Sequence, residues 1–190
     1  MTPYYQDSAV TIYHGDCREI LPIACDVLVT DPPYVGYDKY EWDVVGLVGL
    51  LPPVRSFVFW KGSEFPLDWT ARHVWAKANR NIGNRGEQYE EVYEINGGST
   101  GLVMRHAVID SPMNATLNGD VFWGHPTQKP IRLLLRLLRM TDGLVLDPFA
   151  GSGTTLLAAK TLGRKAIGIE IEERYCEIAA KRCAQEVLAL

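Results

Sequence analysis

The closing segment of the chain constrains the fold more than any other. Residues 143–146 read as a strand, 147–153 as a loop and 154–162 as a helix. Residues 165–170 then read as a second strand and 172–187 as a last helix. A strand–loop–helix series repeated in this way requires a parallel sheet covered by helices, which is α/β architecture. Upstream, 26–30 is a short apolar run bounded by turn residues, the pattern of a buried strand ending at Asp31. Residues 56–60 and 72–77 add two strands, and 89–95 alternates loosely as a further one. Residues 44–51 read as a helix weakened by Gly46 and Gly49. Residues 131–140 form an amphipathic helix, with Leu134, Leu137 and Leu138 on one face and Arg132, Arg136 and Arg139 on another. Between them, 96–124 is rich in Gly, Ser, Asn and Pro, with one strand-like run at 102–109. No repeat or second domain is apparent, and 190 residues suit one domain, 1–190.

The loop Asp147-Pro148-Phe149-Ala150-Gly151-Ser152-Gly153-Thr154-Thr155 joins a buried strand to a helix. Gly151 and Gly153 allow close backbone approach and positive φ, and Thr154 can cap the helix. Glu170 follows Gly151 by nineteen residues, at the end of the next strand, where a carboxylate can accept from both hydroxyls of a ribose. A dinucleotide fits poorly, because Leu156 stands where a third glycine would fall. No GK[ST] follows the glycines, so a P-loop is absent. An acid opening the loop, Asp147, repels phosphate and attracts an ammonium, which favours a cationic adenosyl cofactor.

Asp31-Pro32-Pro33-Tyr34 follows its own strand and so belongs at the same edge of the sheet. An exocyclic amine of adenine or cytosine is a poor nucleophile, because its lone pair is delocalised into the ring. Two acceptors against its two hydrogens would favour a tetrahedral nitrogen. Asp31 can be one acceptor and a proline carbonyl the other, on a loop stiffened by Pro32 and Pro33. Tyr34 offers a face on which a flipped-out base can stack. The same four residues would also suit an ordinary turn.

Composition narrows the alternatives. Apolar residues make up 47% and charged residues 22%, so the chain is expected to be globular. No apolar run approaches a membrane span and the first residues lack a leader pattern, so a cytoplasmic protein is expected. Cys17, Cys25, Cys176 and Cys183 show neither CxxC spacing nor paired histidines, so neither metal nor disulfide is expected. Net charge is −4, yet 72–85 and 129–139 are basic and free of acids. Such patches suit brief contact with a nucleic-acid backbone, and equally suit solvated faces.

The combination resembles the DNA amino-methyltransferases that form N6-methyladenine or N4-methylcytosine. D-P-P-Y is similar to their catalytic motif, D-P-F-A-G-S-G-T-T to their cofactor motif, and His125-Pro126-Thr127-Gln128-Lys129-Pro130 to the segment preceding it. Gly15-Asp16-Cys17 also matches, and the catalytic-first order is that of the β subgroup. The resemblance implies a Rossmann-like S-adenosylmethionine-dependent fold in circularly permuted order, a mainly parallel seven-stranded sheet with one antiparallel strand, to which 89–95 would contribute. It implies a catalytic half at 1–95, a short target-recognition region at 96–124 and a cofactor half at 125–190. Asp31 would hold the amine and Tyr34 would stack on the base. Asp147 would face the methionine part and Glu170 the ribose. Phe149, Gly151 and Gly153 would line the pocket with Pro148, Ala150, Ser152, Thr154 and Thr155. Asp16 and Cys17 would lie near the adenine, and Thr127, Gln128 and Lys129 at the methionine carboxylate. The expected partner is DNA, double- or single-stranded, with adenine N6 favoured over cytosine N4, and many relatives pair as homodimers. A restriction-modification context goes with such enzymes. The recognition region is too short for a separate domain. Lys77, Asn79, Arg80, Asn81 and Arg85 are the candidate DNA contacts. Cytosine C5 chemistry is disfavoured, since no cysteine here follows a proline, and N-P-P-Y enzymes of other substrates differ at Asp31. A catalytically weak DNA-binding or regulatory homologue is the alternative of another class.

Overall fold

A strand of aliphatic residues needs cover on both faces, and Val27–Thr30 has it, all four residues being buried. In the computed structural model, which describes residues 2–33, 50, 52–61, 64–77, 89–106 and 120–185, this strand lies in the middle of a nine-stranded sheet. The strands are β1 (Tyr5–Gln6), β2 (Val10–His14), β3 (Val27–Thr30), β4 (Arg55–Trp60) and β5 (Ala71–Lys77). They continue with β6 (Tyr89–Ile95), β7 (Val103–His106), β8 (Val145–Asp147) and β9 (Ala166–Glu170). The described helices are α1 (Cys17–Ile20), α2 (Ile131–Leu138), α3 (Thr154–Thr161) and α4 (Glu173–Ala184). The expected helix at 44–51 falls almost wholly outside the described residues.

The strand order is β1-β2-β9-β8-β3-β4-β6-β5-β7. Within it, β2-β9-β8-β3-β4-β6-β5 is the expected seven-stranded sheet, and β6 is its one antiparallel member, pairing antiparallel with both β4 and β5. The sheet is two strands wider than expected. The short β1 adds antiparallel to β2, and β7 adds parallel to β5. Thus part of the supposed recognition loop is an edge strand. The run V-T-I-Y-H of β2, overlooked in the sequence, alternates buried and part-exposed residues and pairs with β9.

Alternate residues of the central strands feed two cores. Val27, Val29, Phe57 and Phe59 pack with Leu133, Leu134 and Leu137 of α2 and with Leu156 and Ala179 of α3 and α4. Leu28, Val58, Tyr93 and Leu146 pack on the other face against Phe65. The leucines of α2 are buried as their spacing predicts. Cys176 and Cys183 are fully buried core residues.

At Gly168 a Cβ would stand 2.6 Å from Leu156 Cδ1 and 3.0 Å from Ala150 Cβ, so α3 sits on β9 only because that position has no side chain. Gly168→Ala should therefore destabilise the protein by roughly 1–3 kcal/mol, the usual cost of overpacking a close contact. Urea unfolding monitored by circular dichroism would measure it, and an unchanged midpoint would contradict this packing account.

Candidate active site

In the sheet order, the chain runs outward from β8 to β9 on one side and from β3 to β4 on the other. Ligand clefts in open α/β sheets form at such a reversal, beyond the carboxyl ends of the strands. β3 and β8 pair in parallel, Val27 beside Val145 and Leu28 beside Leu146. Their following loops, which begin with Asp31 and Asp147, therefore emerge side by side. Thr30 Oγ1 donates to Asp147 Oδ1 at 3.0 Å and ties the two together.

A cavity of about 480 Å³ opens at this point. Asp31, Pro32 and Pro33 line one part of it, and Gly15 and Cys17 another. Asp147–Ser152, Thr154, Thr155 and Glu170 also line it. Residues 125–129 complete the lining with these loops. Most sequence-predicted site residues are thus brought together. Tyr34, Asn79, Arg80, Asn81 and Arg85 lie outside the described residues.

Asp147 is 3% exposed and accepts from the Phe149 N–H at 3.1 Å as well as from Thr30. Burial pushes its carboxyl up to about 6, against the hydrogen bonds from Thr155, Phe149 and Thr30, with Asp31 adding to the rise. Among the described residues no cation pairs with it. Glu170 accepts the Gly151 N–H at 2.7 Å on one oxygen and the Glu172 N–H at 2.8 Å on the other, which fixes the loop to the end of β9. Burial raises its carboxyl above the ordinary range in spite of those bonds.

The two glycines have different tasks. Gly151 (φ +50°) lines the cavity, and a Cβ there would stand 3.0 Å from His125 Nε2. Gly153 (φ +76°) does not line it as expected. A Cβ at Gly153 would meet Ala179 Cβ at 2.7 Å, so this glycine serves the packing of α4. Arg182 of α4, 1% exposed, donates to Ser152 O at 2.7 Å and to the Ser152 and Thr154 hydroxyls at 3.0 Å. The loop is therefore held from behind by a buried cation that the sequence reading did not single out.

Asp16 also departs from expectation. Its carboxylate caps α1 through the Arg18 N–H at 2.9 Å and pairs with the Arg18 guanidinium, leaving Gly15 and Cys17 at the cavity wall. Burial first, and then Asp16, pushes the Cys17 thiol up to about 11, which makes it a poor nucleophile.

The 125–129 segment lines the cavity, and several of its side chains also engage protein partners. Gln128 lines the cavity, but its amide is engaged within its own loop, accepting from the Trp123 N–H at 3.0 Å and donating to Val121 O at 2.7 Å. His125 accepts from the Thr127 N–H on Nδ1 at 3.3 Å and packs 4.4 Å from the Tyr175 ring. Burial, reinforced by the charges of Lys129, Arg174 and Arg182, lowers it to about 4, so the ring is neutral. Lys129, expected at a carboxylate of the cofactor, reaches Asp31 Oδ2 at 2.5 Å and Glu90 Oε2 at 3.2 Å. Lys77, expected at DNA, is only 8% exposed in its side chain and pairs with Glu90 Oε1 at 2.7 Å. Its ammonium is consequently largely withdrawn from solvent. No sequence signal pointed to Glu90, because its two partners come from β5 and from the 125–129 loop. Among the described residues no group of three or more His, Cys, Asp or Glu could hold a metal ion, and no helix is long and apolar enough to cross a membrane.

Residues 56–181 match the family model described as DNA methylase, of the N6 and N4 type. The Type II methyltransferase M2.LlaDCHI of Lactococcus lactis subsp. cremoris is 39% identical over 113 residues, covering 57% of this chain and 40% of that protein. M.ScaI of Streptomyces caespitosus is 26% identical, covering 99% of this chain and 86% of that one. The chain thus spans about two fifths of the first relative's length and most of the second's. Among solved structures, the M1.HpyAVI–SAM complex superposes with a TM-score of 0.62 at 27% identity, covering 91% of this chain and 99% of that chain. The cytosine-N4-specific PvuII DNA methyltransferase reaches 0.72 at 20% identity over 98% and 90%, a likeness of fold. With the family model matching more than half of its length, the chain belongs to the N6/N4 DNA methylase family.

Proposed function

We propose that this protein transfers a methyl group from S-adenosylmethionine to an exocyclic amine of a DNA base, with adenine N6 as the favoured acceptor. The observation that carries the reading is the pair of acids at the β3/β8 reversal, Asp31 and Asp147, opening on one cavity.

The residues present fit the cofactor. Asp147 is a buried carboxylate with no cation beside it among the described residues, and a cationic ligand would offset its burial. Gly151 leaves space that a side chain would fill. Asp147 would hold the methionine ammonium, Glu170 the ribose, and Gly15, Cys17 and Phe149 would border the adenosine. S-adenosylmethionine supplies an electrophilic methyl on a sulfonium that leaves as a neutral thioether. The chain's own residues bind and align. Asp31 and the Pro32 carbonyl accept the two amine hydrogens, which turns the nitrogen lone pair toward the electrophile, and alignment supplies much of the acceleration. Cys17, with its thiol pushed up to about 11, is no candidate for covalent cytosine C5 chemistry.

Cytosine N4 presents the same two hydrogens, so D-P-P-Y alone favours adenine only by its resemblance. Labelled methyl transfer to unmethylated DNA, followed by nucleoside mass spectrometry, should give N6-methyladenine. Recovery of N4-methylcytosine would reverse the base assignment, and no transfer would remove the activity. Asp31→Ala should reduce turnover by roughly 10²–10³-fold, the scale for loss of a transition-state partner, with cofactor affinity little changed.

Asp147 adds a pH dependence whose sign is fixed. Its folded value of about 6 lies above the ordinary 3.8, so in the empty protein its contribution to stability is present below about pH 4 and is lost as pH rises through about 6. A cationic ligand needs the ionised form, so affinity should climb about tenfold between pH 5 and pH 7 and then level. Calorimetric titration of S-adenosylmethionine would measure this, and Asp147→Asn should flatten the profile while weakening binding. A wild-type profile already flat would remove Asp147 from the ammonium site.

A further inference from the structure

Lys129 and Glu90 belong to neither the cofactor motif nor the catalytic tetrapeptide, yet they continue directly from Asp31. Charges alternate along a row: Asp31 to Lys129 at 2.5 Å, Lys129 to Glu90 at 3.2 Å, Glu90 to Lys77 at 2.7 Å. Two acids and two lysines balance, so the row carries no net charge into a part of the protein where these side chains are 8–21% exposed. Aromatic rings confine the cations further. Lys129 Nζ lies 5.0 Å from the centre of the Phe59 ring and 5.8 Å from that of Trp75, and Lys77 Nζ lies 5.4 Å from Trp75.

Resting on the functional reading above, we propose that Lys129 and Glu90 are positioning residues for methyl transfer, with Glu90 holding the Lys129 ammonium where it fixes the orientation of the Asp31 carboxylate. An aspartate that accepts from an amine must present its oxygen in one direction. A carboxylate can turn about its Cα–Cβ and Cβ–Cγ bonds, and a charged partner held on one oxygen restricts that rotation. Lys129 engages Oδ2 and sets the plane, while Glu90 keeps the lysine from swinging toward Asp147 or the cofactor. Glu90 in turn is anchored by Lys77 from the neighbouring strand β5.

A proton relay along the row is the competing account, and the electrostatics oppose it. Burial disfavours the Lys129 ammonium, but Asp31 and Glu90 outweigh burial and hold its proton well above the usual lysine range. Lys129 is a permanent charge here. Two of its three N–H donors face these acids, which leaves at most one for a methionine carboxylate.

The test uses the full chain, S-adenosylmethionine and unmethylated DNA. Lys129→Met should lower turnover at saturating cofactor and DNA at least 100-fold, with cofactor Kd within threefold of wild type. Lys129→Arg, which keeps the charge, should recover at least tenfold of that loss. Glu90→Gln should lower turnover about tenfold without changing Kd, and Lys129→Met/Glu90→Gln should be no slower than Lys129→Met alone. The inference is overturned if Lys129→Met weakens cofactor binding tenfold or more, which would return Lys129 to the methionine carboxylate. It is also overturned if Lys129→Met turns over within threefold of wild type, or if arginine fails to rescue. A wild-type chain that binds cofactor and methylates no DNA would instead sink the functional reading, and this inference with it.

Discussion

Everything at the candidate site depends on β3 lying beside β8. Their residues are separated by more than a hundred positions in the chain, and Thr30 reaches Asp147 across that separation. If β3 paired elsewhere, each acidic loop would still follow a buried strand, but the two would face different spaces. Parallel pairing fixes which loop ends meet, because both strands must then release their chain at the same edge. The register is secured by burial on both faces, since a slip of one residue would exchange the side chains of Leu28 and Val29 between two cores.

Proximity then forces the two acids into different electrostatic settings. Asp31 has Lys129 against it, whereas Asp147, among the described residues, meets neutral donors, and burial drives its carboxyl up to about 6. A pair of like charges at one cleft is separated in role by its neighbours rather than by residue type. One acid is matched already and can be aimed at a neutral amine. The other is unmatched, and a cation is the ligand that relieves it. The same contrast explains why a neutral His125, lowered to about 4, lies above the glycine loop: a third charge there would disturb both acids.

Much of this was legible in the chain, because the decisive signals are local. Apolar runs ending in Asp31 and Asp147, the glycines between, and Glu170 closing the next strand all lie within short windows. The β2 run was equally local, and its alternation of Val10, Ile12 and their neighbours could have been read. Other features were not local. Glu90 and Lys77 meet across two antiparallel strands, and Lys129 joins them from a loop, so no spacing in the sequence relates the three. Basic residues in a run suggested an exposed face at Lys77, but pairing with the partly buried Glu90 draws it inward. Gly153 carried the right residue type for a ligand loop and serves a helix contact instead, a distinction visible only once Ala179 is in place.

The order of segments bears on how the protein is made. β2 and β3 precede their partners β9 and β8 by more than a hundred residues, so these two pairings near the middle of the sheet close long stretches of chain. Closing such long loops is entropically costly and lowers folding rates. During synthesis the apolar faces of Val27–Thr30 have no permanent neighbour on one side until residues 145–147 have emerged. The centre of the sheet therefore closes only once the segments carrying β8 and β9 are in place, and until then β3 keeps an open edge.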